Sequence, residues 1–179
     1  MTGGSFSLQP FPAAGERPAV RIDGEIHRRG PKLAIRYTLR GRLAEVAIAG
    51  GAVLPARRHG LWEETCFEFF LAPRNSCRYW EFNLSPEGHW NVYRFEAYRQ
   101  GVEEEKAFDS LPFEVRRQPD SLALALELEV ERIIRSGRAI EAAVSAVLKL
   151  RRGEATYWAL AHGGTQPDFH RRDGFIIRL

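Results

Sequence analysis

Two stretches of this chain carry side chains able to do chemistry or to hold a small molecule. In the first, Trp62 follows a long connection and Trp90 follows a Pro-Gly turn, so either indole can stand at a loop-facing end of a sheet. A flat indole face suits the C–H face of a sugar, with nearby polar groups fixing the hydroxyls. Glu63, Glu64, Glu68 and Glu81 could accept hydrogen bonds from such hydroxyls, or two of them could act as a carboxylate pair in glycoside hydrolysis. Asn83, between Phe82 and Leu84, and Arg94, on another aromatic segment, must be solvated or hydrogen-bonded, either to a ligand or within the fold. Trp80, beside Phe82 and Leu84, reads as core.

The second stretch holds Trp158, His162, Asp168, Phe169 and His170, with Gly163, Gly164 and Pro167 shaping the connection. His and Asp there could ligate a divalent metal, arrange ligand hydrogen bonds or staple a structural turn through His170. No compact motif fixes a coordination geometry, so no metal is expected. Cys66 or Cys77 beside His162 supplies only two names of a nucleophilic triad, and no catalytic residue is assigned. Glycine-rich phosphate loops, dinucleotide fingerprints and paired Cys-x-x-Cys units are absent, which weakens nucleotide-dependent and zinc-ribbon readings. No cofactor is expected.

With 179 residues the chain is long enough for one domain with its own core. The excess of 26 Lys and Arg over 23 Asp and Glu is thinly spread, and the short basic patches at 27–29, 57–59 and 151–152 have acidic or apolar neighbours. No phosphate-tracking stripe results, so nucleic acid is not an expected partner. Neither a continuous apolar span nor a secretory leader pattern is present, which predicts no membrane insertion and a cytoplasmic location. Cys66 and Cys77 could meet across a hairpin, but two reduced, partly buried thiols are the expected state.

The elements that must position these residues read as strands. Leu33, Ile35, Tyr37 and Leu39 alternate over residues 32–40, and Leu122, Leu124, Leu126, Leu128 and Val130 alternate over 122–130. The strand expected at 66–71 sets Phe67, Phe69 and Leu71 on one face and Cys66, Glu68 and Phe70 on the other, so both faces are expected to be partly covered. Segments 78–84 and 90–99 form two aromatic strands broken by Ser85-Pro86-Glu87-Gly88. Further strands are expected at 19–22 (an edge), 45–49, 113–117, 155–161 and 175–179, and a helical turn at 131–138. Residues 140–150 suit either a helix or a strand, and residues 1–18 read as an irregular N-terminal arm. Many short strands between turns predict an all-β domain over residues 19–179, a sandwich or a closed barrel.

The run Leu61-Trp62-Glu63-Glu64-Thr65-Cys66-Phe67-Glu68-Phe69-Phe70, followed by Tyr79-Trp80-Glu81-Phe82-Asn83-Leu84-Ser85-Pro86-Glu87-Gly88, resembles the DOMON-like proteins related to family 9 carbohydrate-binding modules. Tyr157-Trp158-Ala159-Leu160 and Pro167-Asp168-Phe169-His170 extend the resemblance, which covers residues 20–179. It implies an antiparallel β-sandwich of jelly-roll type with little helix, and a sugar held between aromatic faces. Trp62 is similar to the aromatic residue before the Glu68-bearing strand, and Phe169-His170 to a C-terminal Phe-His pair. Related DOMON domains bind haem, but Met1 is the sole methionine, so the usual Met/His axial pair lacks support.

The resemblance implies a non-catalytic small-ligand domain with a mono- or oligosaccharide as ligand. Trp62 would be the stacking face, Trp158 the second wall, and Glu63, Asn83, Arg94, His162 and Asp168 polar contacts, with Trp90 and His170 beside them. Two alternatives stay open: a structural or protein-interaction domain with an unidentified protein partner, and a glycoside hydrolase. Carbohydrate modules of this type accompany secreted catalytic domains, which leaves room for an intracellular sugar sensor or a site filled by side chains.

Overall fold

The computed structural model describes residues 1–12, 17–50 and 54–179; residues 13–16 of the expected arm and 51–53 of the loop before Trp62 lie outside them. Six strands come first: β1 (Thr2–Pro10), β2 (Val20–Arg29), β3 (Lys32–Gly41), β4 (Cys66–Pro73), β5 (Tyr79–Leu84) and β6 (Trp90–Phe95). Six follow: β7 (Glu103–Glu104), β8 (Phe113–Gln118), β9 (Ser121–Glu129), β10 (Ile140–Lys149), β11 (Ala155–Ala159) and β12 (Ile177–Arg178). Helical structure among the described residues is confined to four 3-10 turns.

Alternating strands bury one face. In β3, Leu33, Ile35, Tyr37 and Leu39 are buried and the residues between them face outward. The strand pairs with β2 on one side and with β9 on the other, whose Leu122, Leu124, Leu126 and Leu128 continue the same apolar sheet face. The order β8-β9-β3-β2-β1 makes the first layer, and β11-β10-β4-β5-β6-β7 makes the second, with β12 beside β10. All pairings between these strands are antiparallel.

One strand joins the layers. Residues 2–8 of β1 pair with β2, while Gln9 and Pro10 pair with Ala159 and Trp158 of β11, so a single sheet curls over on itself into an antiparallel β-sandwich. The Tyr37 hydroxyl donates to the Glu68 carbonyl at 2.6 Å across the core, and its ring lies 5.2 Å from Phe67. The chain crosses between layers at β3 to β4, β7 to β8 and β9 to β10.

Several expectations are corrected. Thr2–Pro10 is a strand, not an irregular arm. Its Gly3 and Gly4 hide the pattern, but Phe6 and Leu8 are buried, and Phe6 packs on Gly24 of β2. A Cβ on Gly24 would lie 2.4 Å from the Phe6 ring and 2.0 Å from the Arg36 carbonyl, so only glycine lets the strands approach this closely. β2 is accordingly interior, not an edge. Residues 45–49 do not return beside β3, because β9 holds that place; a 3-10 turn covers Leu43–Glu45, and Val46 forms an isolated bridge to Leu150. Residues 131–138 contribute only the end of the 3-10 turn Val130–Arg132. The ambiguous segment is a strand, β10, central between β4 and β11, where tertiary pairing overrides the helix propensity of its alanines.

Candidate functional site

In the second layer both strand faces are covered. Cys66 to Ala72 of β4 and all of β5 are buried. Phe67, Phe69, Leu71, Trp80, Phe82 and Leu84 point into the sandwich. The opposite face carries Glu68, Glu81, Asn83, Tyr93 and Ser145 among apolar neighbours, a mixture unsuited to a core and suited to a polar-floored cleft. Over it fold the 3-10 turn Leu61–Glu63 and the connections around residues 99–102 and 167–170, enclosing a cavity of about 510 Å³ open to solvent.

Glu68 and Glu81 form the floor of this cavity and are almost completely buried. In the antiparallel register Glu68 lies opposite Asn83 and Glu81 opposite Phe70, so the two acids are diagonal neighbours on adjacent strands. Ser145 Oγ donates to Glu68 at 3.3 Å, and Asn83 Nδ2 donates to Glu81 at 2.9 Å while the Cys66 thiol leans on Asn83 Oδ1. Burial, reinforced by the Glu81 charge, raises Glu68 well above the carboxylate range. Burial likewise pushes Glu81 up to about 7, against the opposing pull of Asn83 and Arg99. Burial and the neighbouring acids also push the Cys66 thiol up, so it is an inert thiol, and both cysteines are free.

Two Tyr-His pairs flank the acids. Tyr79 Oη lies 2.8 Å from His170 Nδ1 and accepts the Arg99 backbone N–H at 3.2 Å; Tyr93 Oη lies 2.9 Å from His59 Nδ1 and accepts from Asn91 Nδ2 at 2.9 Å. Burial pushes both phenols up to about 12, so each is protonated at neutral pH. The arrangement that leaves no phenol proton without an acceptor has each tyrosine donating to Nδ1 and each imidazole carrying its proton on Nε2. His170 Nε2 then faces Glu81 Oε2 at 3.8 Å, and burial together with the Arg99 charge pushes His170 down to about 4, which keeps it neutral. Aromatic rings complete the walls: Trp62 meets Tyr93 edge-on at 5.8 Å, and Tyr157 meets Phe169 at 6.2 Å. Arg99 reaches the rim, its guanidinium paired with Asp168 at 2.9 Å.

Of the residues singled out in the sequence, Trp62 and His170 line the cavity, Asn83 lies beneath it, and Asp168 stands behind it, holding Arg99 and the His170 backbone N–H. Four others are elsewhere. Trp90 and Trp158 are core residues on the opposite strand face, Trp90 beneath the Arg57 guanidinium and Trp158 donating its indole N–H to Thr156. Arg94 shares that opposite face, opposite Trp80 in register, and pairs with Glu96 and Glu103. His162 contacts the Gln9 carbonyl outside the cavity. Glu63 sits on the 3-10 turn beside Trp62 but is exposed and does not line the cavity. The lining residues Tyr93, Phe95, Arg99, Val147, Tyr157 and His59 were not selected from sequence. For Tyr93 and Phe95 the alternation along β6 held the signal, since they fall on the face opposite Trp90.

A groove of about 590 Å³ also runs along the outer face of β2, β3, β8 and β9. Its charges satisfy one another at the surface, as in Arg36 to Glu25 and Arg116 to Glu114, and it has no buried polar floor. Among the described residues no group of three His, Cys, Asp or Glu side chains is placed to hold a metal ion. Buried acids with displaced titrations mark the second-layer cavity instead.

No family model matches this sequence, and no curated protein sequence matches it. Solved structures do resemble it. A candidate carbohydrate-binding protein from Bacteroides uniformis shares 18% identity and a TM-score of 0.69, over 94% of this chain and 84% of that one. A family 9 carbohydrate-binding module from Caldicellulosiruptor kristjanssonii, solved with glucose, shares 10% identity and a TM-score of 0.47, over 80% of this chain and 68% of that one. The first likeness shows a shared fold.

Proposed function

We propose that the second-layer cavity binds a saccharide without transforming it. The observation that carries this reading is the pairing of aromatic walls, Trp62, Tyr93, Tyr157 and Phe169, with a floor of buried hydrogen-bonding groups, Glu68 and Glu81. Rings cover the C–H faces of a pyranose, while carboxyl and imidazole groups meet its hydroxyls. The ascribed role of the Bacteroides uniformis protein supports the same reading by analogy of fold. A DOMON-like ancestry, resting on residues 61–70, 79–88, 157–160 and 167–170, belongs to this proposal.

A glycosidase needs two carboxyl groups flanking the scissile bond. Glu68 and Glu81 stand side by side on one floor and approach a ligand from the same side, which favours binding over hydrolysis.

Titration of isotopically labelled protein with mono- and oligosaccharides tests the proposal through the indole N–H signals. Trp80 and Trp158 donate theirs to Glu105 and Thr156 inside the protein, whereas Trp62 is over a third exposed at the cavity. Binding shifts the Trp62 signal saturably and leaves the other two nearly still. Trp62→Ala weakens the affinity about tenfold, on the order of 1.4 kcal/mol for one lost ring face. Absence of any shift at millimolar saccharide would sink the proposal.

A further inference from the structure

The cavity floor holds more acid than the surrounding protein neutralises. Each acid keeps one side-chain hydrogen bond, Glu68 from Ser145 and Glu81 from Asn83. Among the described residues no Lys or Arg lies within ion-pair distance of either; His170 Nε2 stands 3.8 Å from Glu81, and Arg99 acts on Glu81 from farther away. Arg99 lines the same cavity, but its guanidinium is engaged by Asp168. The remaining carboxyl oxygens are left to the cavity, and burying two acids without a cation is unfavourable unless they stay protonated or a ligand supplies the charge.

We propose that the ligand is an amino sugar whose protonated primary amine sits between the Glu68 and Glu81 carboxylates, beneath the aromatic walls. This rests on the saccharide reading and specifies its ligand class. An ammonium group offers three donors and one positive charge, matching the free acceptors of the floor, and the Tyr93 and Phe95 rings beside it favour a cation over their faces. An inorganic cation is the poorer match, because no third acidic, imidazole or thiol ligand joins the pair among the described residues.

The charge balance couples binding to protons. The groups facing the pair are Cys66 from β4, Tyr79 and Asn83 from β5, Tyr93 from β6 and Ser145 from β10. Arg99 with Asp168, and His170, face it from the connections, and His59 reaches the same cavity through Tyr93. Both phenols and the thiol stay protonated and His170 stays neutral near pH 7, so the two acids are the groups that answer an incoming cation. The amine favours their ionised forms, the complex releases protons, and affinity rises from pH 5 to pH 7.

Calorimetry at pH 6.5 in two buffers of different ionisation enthalpy tests this with 2-aminohexoses of gluco, galacto and manno configuration, their neutral parent hexoses, their N-acetyl derivatives and cyclohexylamine. The expected result is at least one aminohexose binding about tenfold more tightly than its parent and its N-acetyl form, with release of protons from the acid pair. Glu81→Gln brings the amine-to-hexose affinity ratio to about one and lowers that release by the Glu81 share. Neutral or N-acetylated hexoses binding as tightly as the amines, without proton release, would overturn the amine assignment and leave the saccharide reading standing. Binding of cyclohexylamine but of no sugar, or of nothing in the panel, would overturn both. An amine preference unchanged in Glu81→Gln also overturns the proposal.

Discussion

Glu81→Gln makes the protein more stable than the parent chain at pH 8, by on the order of 3 kcal/mol, and leaves the two within about 1 kcal/mol at pH 5. The sign follows from where the proton sits. Burial pushes Glu81 up to about 7 in the folded protein, whereas the unfolded chain titrates at the ordinary 4.5. Between these values the folded state holds a proton that the unfolded state has lost, so stability contributed by the protonated acid is present below pH 4.5 and is lost as pH rises towards 7. Glutamine keeps an acceptor for Asn83 Nδ2 and carries no charge, so this slope disappears.

His170 contributes the opposite slope. Its folded value of about 4 lies below the ordinary 6.5, so the unfolded chain takes up the proton first and stability falls as pH drops through that window. In the parent protein the Glu81 and His170 slopes offset each other, while Glu68, raised in the same direction as Glu81, adds a further loss of stability as pH rises. Removing Glu81 takes its slope away and leaves those of His170 and Glu68. Urea unfolding of both chains at pH 5, 6, 7 and 8 reads this directly, and a variant no more stable than the parent at pH 8 would refute the buried-acid account of the floor.

Phe82→Ala lowers stability by about 4 kcal/mol, within the range of 3–5 typical of a buried Phe truncated to Ala. Phe82 is fully buried, stacked on Phe69 at 4.4 Å and set edge-on to Phe108 at 5.8 Å. Its loss leaves a void between the two layers directly beneath the strand that carries Glu81 and Asn83. The urea midpoint falls while the slope stays constant, because the surface exposed on unfolding hardly changes. Phe82→Leu, which keeps most of the volume, costs about half as much or less. A Phe82→Ala loss below about 1 kcal/mol would mean that the layers do not pack across this ring.

Patterning along single strands was legible because it is local. The alternation in residues 32–40 and 122–130 set down β3 and β9, and the split of Phe67, Phe69 and Leu71 from Cys66, Glu68 and Phe70 described both faces of β4 before any partner was known. Residues 2–10 were not legible: glycines that permit close strand approach look like loop when their partner is unseen. Residues 140–149 were ambiguous because alanine suits a helix and becomes strand here only through pairing with β4 and β11.

The site divided along the same line. Its key aromatic and acidic residue types stood in the sequence, and Trp62, Glu68, Glu81, Asn83 and His170 were visible as groups with something to bind. Trp90 and Trp158 looked equally eligible, yet each points inward, since one step along a strand reverses the face and a loop-flanked position does not reveal its parity. By itself the sequence determined an all-β chain of alternating strands, with both faces of the 66–71 strand partly covered and an aromatic hairpin following it. Only the tertiary structure decided which face of that hairpin is core and which is cavity, because that depends on the first layer closing over one side while Trp62, Arg99 and His170 arrive over the other from connections distant in the chain.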